Sequence, residues 1–156
     1  MISHESETGS SNQGAKWRNP PPGKYKINCD MAISMTTKMV GVGVVVRDDQ
    51  GRVILAQGKS ISAMYDLATG EAMAALVAVD LCRDMGVFDV ILEGDSLEVV
   101  NSINEDLNSR RRYGHLLDDM KMVLSSFRSW EVMHVKRDAN MAAHRLTKEA
   151  SKTHMD

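Results

Sequence analysis

Three acidic residues, Asp30, Glu71 and Asp95, stand where a metal site could form. Asp30 ends an alternating segment typical of a β-strand, Glu71 lies near the start of a helical pattern, and Asp95 follows a short apolar segment. Carboxylate oxygens are the ligands that Mg²⁺ prefers in proteins. Carboxylates brought together repel one another, and a cation between them relieves that repulsion. The three residues therefore indicate a site for two-metal phosphoryl chemistry, in which one ion activates water and another stabilises the leaving oxygen.

Each of these acids also has a local explanation. Asp30 could begin a loop, Glu71 could complement the helix dipole from the first turn, and Asp95 could be an N-cap. Their joint placement favours a site, because a right-handed crossover after a meander permits the first and fourth strands to be neighbours. Asp30 and Asp95 would then meet at one edge of the sheet, within reach of Glu71 on the helix laid across it. We expect Glu93 to be a solvated neighbour of this edge.

The elements that must position these acids begin with three strands. Apolar and polar residues alternate over Lys24–Asp30, which predicts a strand with one buried face. A Val-rich segment over Val40–Arg47 and a third segment over Arg52–Ser62 flank a turn. The pattern predicts a three-stranded antiparallel meander.

The rest of the chain alternates between helical and strand patterns. Because the predicted order contains both hairpins and crossovers, the five-stranded sheet must be mixed, which gives an α/β fold. The predicted segments are a helix over Gly70–Met85, a strand over Val87–Glu93, helices over Leu97–Leu107 and Tyr113–Phe127, a strand over Trp130–Lys136 and a helix from the cap Asn140 to about Lys152.

The size and composition fit one domain. The chain has 156 residues, of which 43% are hydrophobic, and this is enough for a core of ordinary size. Residues 1–19 lack aliphatic periodicity and are rich in Ser, Gly, Asn and Glu, so we expect a disordered tail before a domain over residues 20–152. Residues 153–156 are expected to form a short C-terminal tail.

Charge and cysteine content limit the function further. The formal net charge is −2, so contact with nucleic acid must be local rather than driven by an overall basic excess. Cys29 and Cys82 are far apart and form no CxxC motif, which predicts buried thiols in a reducing compartment. No signal peptide, transit peptide or membrane span is evident. We therefore expect an intracellular, soluble monomer in the nucleus or cytoplasm.

Several segments, taken in order along the chain, resemble a ribonuclease H-type domain. They are Lys26–Asp30, Gly41–Gly51, Gly70–Leu76 and Glu93–Ser96. The C-terminal segments His134–Asn140 and Ala143–Leu146 are similar to the variant common in plant genomes, which often occurs as a retrotransposon-derived module. The resemblance covers about residues 17–151.

The resemblance implies a five-stranded mixed sheet flanked by helices and endonucleolytic cleavage of the RNA strand in an RNA–DNA hybrid. The implied cofactor is Mg²⁺, with Mn²⁺ as the alternative ion. Asp30, Glu71 and Asp95 match the three central catalytic carboxylates and would hold the metal. The fourth catalytic aspartate of the family falls at His144, which would lie near the second metal, with Asn140 orienting it.

Substrate contacts are less well defined by the sequence. Asn140 and Arg137 are the candidate substrate-binding residues, although Arg137 could equally be a charge at a strand end. Arg110–Arg112 is the dense basic run, and it could be a solvated loop or a phosphate contact. Met31 replaces the family's usual glycine, and Leu67–Gly70 lacks the asparagines that often precede the helix glutamate.

Two hypotheses follow from these features. The first is an RNA–DNA hybrid ribonuclease, which the three matching carboxylates favour. The second is a catalytically degenerate module that binds nucleic acid or protein, which His144 and Met31 favour. An enzyme that forms an aspartyl phosphate is disfavoured, because the chain opens with three successive strands and Asp30 is followed by Met-Ala.

Overall fold

The computed structural model of the chain describes residues 17–61, 66–105 and 113–145. Its strands are β1 (Tyr25–Ile33), β2 (Val40–Arg47), β3 (Val53–Ile61), β4 (Asp89–Gly94) and β5 (Ser129–His134). Its helices are α1 (Leu67–Met85), α2 (Leu97–Asn104) and α3 (Gly114–Leu124), followed by a 3₁₀ turn over Arg137–Asn140. Residues 141–145 continue from this turn as α-helix.

The five strands form one mixed sheet in the order β3-β2-β1-β4-β5. The first three strands pair antiparallel, whereas β4 is parallel to β1 and β5 is parallel to β4. This arrangement confirms the predicted fold class and the neighbouring positions of the first and fourth strands. β1 therefore lies at the centre of the sheet.

Helix α1 covers one face of the sheet and packs on β1, β2 and α3. Its buried side is made largely of alanines, which let the helix axis approach the valines of β2 closely; they are Ala72, Ala74, Ala75 and Ala78. Together with Ile27 and Val44 they belong to one continuous hydrophobic core. Burial of this apolar area is the main force that holds the helix on the sheet.

The start of α1 lies very close to β1. Asp66 caps the helix by accepting a hydrogen bond from the Thr69 N–H at 2.7 Å, so the helix begins at Leu67, three residues before the predicted Gly70. A Cβ added to Gly70 would lie 2.0 Å from Met31 Cε and 3.3 Å from Met31 Sδ. Gly70 therefore makes room for Met31, the residue that replaces the family's usual glycine.

The prediction that β1 has only one buried face is wrong. Lys26, Asn28 and Asp30 on the polar side of β1 are all buried. Trp17 lies against this face, so residues 17 and 18, which composition assigned to the tail, contact β1. Residues 1–16 of the predicted tail lie outside the described residues.

Other boundaries differ in detail. Ser96, rather than Asp95, caps α2, because its hydroxyl accepts a hydrogen bond from the Val99 N–H at 3.4 Å. Asn140 does not cap a helix; it ends the 3₁₀ turn, and its side chain is turned inward. The basic run at 110–112, the predicted helix beyond residue 145 and the tail at 153–156 lie outside the described residues.

Two further findings concern the cysteines and the lengths of the helices. Cys29 and Cys82 are both free and buried, as predicted. Among the helices within the described ranges, none is long and apolar enough to cross a membrane.

The contact between Gly70 and Met31 predicts a specific coupling. Gly70→Ala should destabilise the protein by about 1 kcal/mol or more, because the new methyl group overpacks against Met31. In a Met31→Ala background the same substitution should stabilise it by about 0.5–1 kcal/mol, because Ala is the better helix former. Urea unfolding of the wild type, both single variants and the double variant measures this coupling. Additive free energies would show that Met31 and Gly70 do not interact.

Candidate metal centre

The three predicted carboxylates meet at one edge of the sheet. Asp30 lies on β1, Glu71 lies on α1, and Asp95 directly follows β4. One carboxylate oxygen from each lies within 4.8 Å of the others. They converge because β1 and β4 are parallel, so that both strands reach this edge in the same direction, and because α1 begins against Met31.

The local explanations for these acids do not apply. Asp30 does not begin a loop, since β1 continues to Ile33. Glu71 is the fifth residue of a helix that begins at Leu67, so it lies beyond the first turn. Asp95 does not cap α2, because Ser96 does. All three side chains are thus left for the shared site.

The three carboxyl groups of the cluster repel one another when they are ionised. Burial, and then the nearby charges of Asp30 and Asp95, raise the pKa of Glu71 to about 10. Burial and then the charge of Asp95 also raise the pKa of Asp30, although its hydrogen bond with His144 opposes the rise. At neutral pH Glu71 therefore carries a proton, which reduces the repulsion between the three carboxyl groups.

The oxygens fit a hard divalent cation. Among the described residues, buried side-chain oxygens without a hydrogen bond are found at Asp30 Oδ1, Asp95 Oδ2 and Ser60 Oγ, and Asp95 Oδ2 has the Arg137 guanidinium group 3.3 Å away as an ion-pair partner. Two of these three belong to the cluster. A buried acceptor without a donor is costly, and a metal ion is one of the partners that satisfy it. The donor set consists entirely of carboxylates, as Mg²⁺ and Mn²⁺ prefer.

Two basic side chains from the C-terminal segment border the cluster. His144 Nδ1 lies 2.7 Å from Asp30 Oδ2, so this residue lies next to the carboxylate cluster. Arg137 Nε lies 3.3 Å from Asp95 Oδ2, and its Nη1 lies 3.5 Å from His144 Nε2. The Arg137 side chain is 59% exposed, whereas that of Asp95 is 8% exposed. Arg137 therefore faces both the site and the solvent.

A buried polar network lies beside the cluster on the same face of the sheet. Asn28 Nδ2 donates to Glu93 Oε1 at 2.9 Å and to Asn140 Oδ1 at 3.0 Å. Asn140 Nδ2 in turn donates to the Cys29 carbonyl at 2.8 Å. Lys26 Nζ forms an ion pair with Glu93 Oε2 at 3.1 Å. These contacts tie the C-terminal segment to β1 immediately before Asp30.

Two expectations about this network need correction. Glu93 is not a solvated neighbour, because it is 5% exposed and paired with Lys26. Asn140 is fully buried and uses its amide within the network, so a substrate contact by this side chain would require it to leave that position. Alternation along β4, which puts Glu93 on the same face as Asp95, was the sequence signal for a buried Glu93.

A mixed sheet of this topology, with three carboxylates where β1 and β4 reach one edge, defines a ribonuclease H-like domain. The sequence matches the reverse transcriptase-like family over residues 28–150. The chain therefore belongs to this family. No protein with a curated description matches the sequence.

Solved structures have the same fold. The RNase H1 of the archaeon Halobacterium salinarum is 23% identical with a TM-score of 0.74, over 81% of this chain and 96% of that chain. The N-terminal RNase H domain of a Mycobacterium tuberculosis protein is 21% identical with a TM-score of 0.74, over 82% and 93%. An RNase H1 named LC11, in complex with an RNA/DNA hybrid, is 17% identical with a TM-score of 0.71, over 80% and 94%.

The raised pKa of Glu71 predicts how stability depends on pH. The folded state holds a proton on Glu71 that the unfolded state loses above its ordinary pKa of 4.5, so stability in EDTA should fall as the pH rises from 4.5 toward 10. Glu71→Gln removes this proton linkage. The variant should match the wild type near pH 4 and have a Tm about 2–4 °C higher at neutral pH, equivalent to about 1 kcal/mol.

Calorimetric melts of both proteins across this pH range measure the difference. Adding Mg²⁺ at neutral pH should raise the Tm of the wild type more than that of Glu71→Gln, because the cation takes the place of the proton. Parallel pH profiles for the two proteins would contradict the assignment of the proton to Glu71.

Proposed function

We propose that this domain binds RNA–DNA hybrids and cleaves the RNA strand with a divalent metal held by Asp30, Glu71 and Asp95. The observation that carries the proposal is the convergence of three carboxylate oxygens within 4.8 Å, beside a buried oxygen of Asp30 that has no hydrogen-bond partner. The hybrid complex of LC11-RNase H1 supports the choice of substrate, since it has the same fold.

The metal would be Mg²⁺, or Mn²⁺ as the alternative. When bound, it would activate water and offset the charge of the scissile phosphate. Asp30 and Asp95 would bind it from the sheet, and Glu71 would bind it from α1 after releasing its proton. Because these side chains are fixed by the central strands and the packed start of α1, they need little reorganisation to bind the ion.

Arg137 would supply the contact with the phosphate backbone. Its guanidinium group lies against Asp95 at one end of the site and is largely exposed. A guanidinium group can form two parallel hydrogen bonds with phosphate oxygens. It would therefore contact the RNA backbone next to the reacting phosphate, where its positive charge also reduces repulsion between the phosphate and the carboxylates.

Removing either strand carboxylate should abolish cleavage. Asp30→Asn and Asp95→Asn should each lower metal-dependent cleavage of a hybrid by about 10³-fold or more, because the ligands act as one unit. The measurement is a single-turnover assay on matched RNA–DNA hybrid, double-stranded RNA and double-stranded DNA. Circular dichroism should show that both variants remain folded.

Asp118→Asn is the matched control, since Asp118 is an exposed aspartate on α3 and lies outside the cluster. It should cleave at the wild-type rate. Equal cleavage by the control and by both site variants would identify a contaminating nuclease and overturn the proposal.

A second candidate function is binding without cleavage. It is favoured by one observation, namely that His144 and Arg137 already lie against Asp30 and Asp95, where a metal would bind. In such a module the two basic side chains would replace the metal as partners of the carboxylates. The residue type at position 144 therefore distinguishes the two candidate functions.

The variant His144→Asp distinguishes them. A neutral imidazole suits Mn²⁺ and later transition metals better than Mg²⁺, so the wild type should be slow in Mg²⁺ and faster in Mn²⁺. The new carboxylate should raise Mg²⁺-dependent hybrid cleavage by about tenfold and reduce the preference for Mn²⁺.

His144→Asp should also lower the Tm in EDTA, because it adds a fourth carboxylate to the cluster, and Mg²⁺ should restore it. This thermal shift reports on metal binding independently of cleavage. A folded variant that is inactive with both metals would make the binding module the better description.

A further inference from the structure

Trp17 is the first described residue and lies on the polar face of β1, next to the network that supports the metal centre. Its indole Nε1 donates a hydrogen bond to Asn28 Oδ1 at 2.8 Å. Its ring is flanked by two cations, with Arg47 Cζ at 4.5 Å and Lys26 Nζ at 5.2 Å from the centroid. Lys26 Nζ also donates to the Arg18 carbonyl at 2.6 Å. Residues 17 and 18 are thus bound to β1 by several polar contacts.

The hydrogen bonds of this network have one consistent direction. An indole N–H can only donate, and a backbone carbonyl can only accept. Between the Trp17 indole and the Cys29 carbonyl lie the amides of Asn28 and Asn140, whose orientations are set jointly by the indole donor and by two acceptors, Glu93 Oε1 and the Cys29 carbonyl. With the indole N–H bound to Asn28 Oδ1, both Asn28 N–H groups must point toward Glu93 and Asn140.

The orientation of Asn140 follows from that of Asn28. Asn140 Oδ1 accepts from Asn28, so its Nδ2 is left to donate to the Cys29 carbonyl, directly before Asp30. If the Asn28 amide turned over, two oxygens would face each other at Asn140 and a second pair would face at Glu93. In a buried site such unpaired or repelling groups are strongly disfavoured.

We infer that Trp17 is a positioning residue for the metal centre, because its indole N–H gives Asn28 Oδ1 a donor, which helps to fix the Asn28 and Asn140 amides and thereby holds the segment that carries His144 against Asp30. Asn140 precedes His144 by four residues, so the two lie one helical turn apart. The inference rests on the proposed metal centre for its effect on catalysis, but the hydrogen bonds themselves can be tested without metal.

Two variants separate the roles of ring and hydrogen bond. Trp17→Phe keeps an aromatic ring near Arg47 and Lys26 but removes the N–H. Asn28→Asp keeps an acceptor for Trp17 but cannot donate to Asn140. Both variants should disturb Asn140, even though the second retains its bond with the indole.

Two control variants accompany them. Trp130→Phe makes the same change at the chain's other tryptophan, which lies on edge strand β5. Val123→Ala removes buried volume on α3 and lowers stability without touching the network. It shows what a purely structural defect does to the same measurements.

The first measurement is made in EDTA. Nuclear magnetic resonance should show that the Asn140 side-chain amide and the backbone amides of residues 140–144 exchange about tenfold faster in Trp17→Phe and Asn28→Asp than in the wild type. Neither control should single out this segment. Unchanged exchange in both variants would overturn the inference, whether or not the protein binds metal.

The second measurement is Mg²⁺ affinity by calorimetry. Asn140 binds the carbonyl directly before Asp30, so disturbing it also disturbs the backbone that carries this ligand, and we expect a Kd for Mg²⁺ about tenfold higher in both variants with no change in Trp130→Phe. In hybrid cleavage at saturating Mg²⁺, kcat should fall while KM stays unchanged, because the substrate surface is intact. A wild type that binds no Mg²⁺ would refute the proposed function, whereas wild-type affinity in both variants would refute only the role of Trp17.

Discussion

β1 and β4 run parallel at the centre of the sheet, with Asn28 opposite Glu93 in register. Parallel pairing brings Asp30 and Asp95 to the same edge, and an antiparallel pair would place them at opposite edges. The other parts of the site follow from the parallel pairing of β1 and β4. A parallel connection needs a crossover, α1 supplies it, and the tight approach of α1 to Met31 brings Glu71 within reach of both strands. The cluster is therefore a consequence of topology rather than of any local motif.

Much of this arrangement could be predicted from the sequence. Period-2 and helical patterns identified the five strands and the three helices, and their order required a mixed sheet. The position of each acid relative to an element then predicted the site. Helix starts were less predictable, because the cap at Asp66 precedes the first regular apolar position and depends on one side-chain hydrogen bond. Asp and Ser are both good caps by residue type, so only the hydrogen bond from the Val99 N–H identifies Ser96 as the cap of α2.

The polar face of β1 could not be predicted from periodicity. Alternation of polar and apolar residues indicates a half-exposed strand, but here the polar side chains of Lys26, Asn28 and Glu93 satisfy one another away from solvent. Their partners come from distant parts of the chain. The composition of residues 1–19 did not indicate that Trp17 would contact β1. Met31 and Gly70 are likewise understood only together, because the Met31 side chain occupies the space that a side chain at position 70 would fill.

The hydrogen bond between Asn28 and Asn140 joins residues 112 positions apart, and that between Asn28 and Glu93 joins residues 65 positions apart. Contacts of such long range form late in folding, because the entropy of closing the intervening loop must be overcome first. During synthesis the first three strands and α1 can assemble while Asn28 still lacks its partners Glu93 and Asn140. The nascent domain would therefore expose the polar side chains of β1 to solvent until β5 and the segment after it emerge from the ribosome.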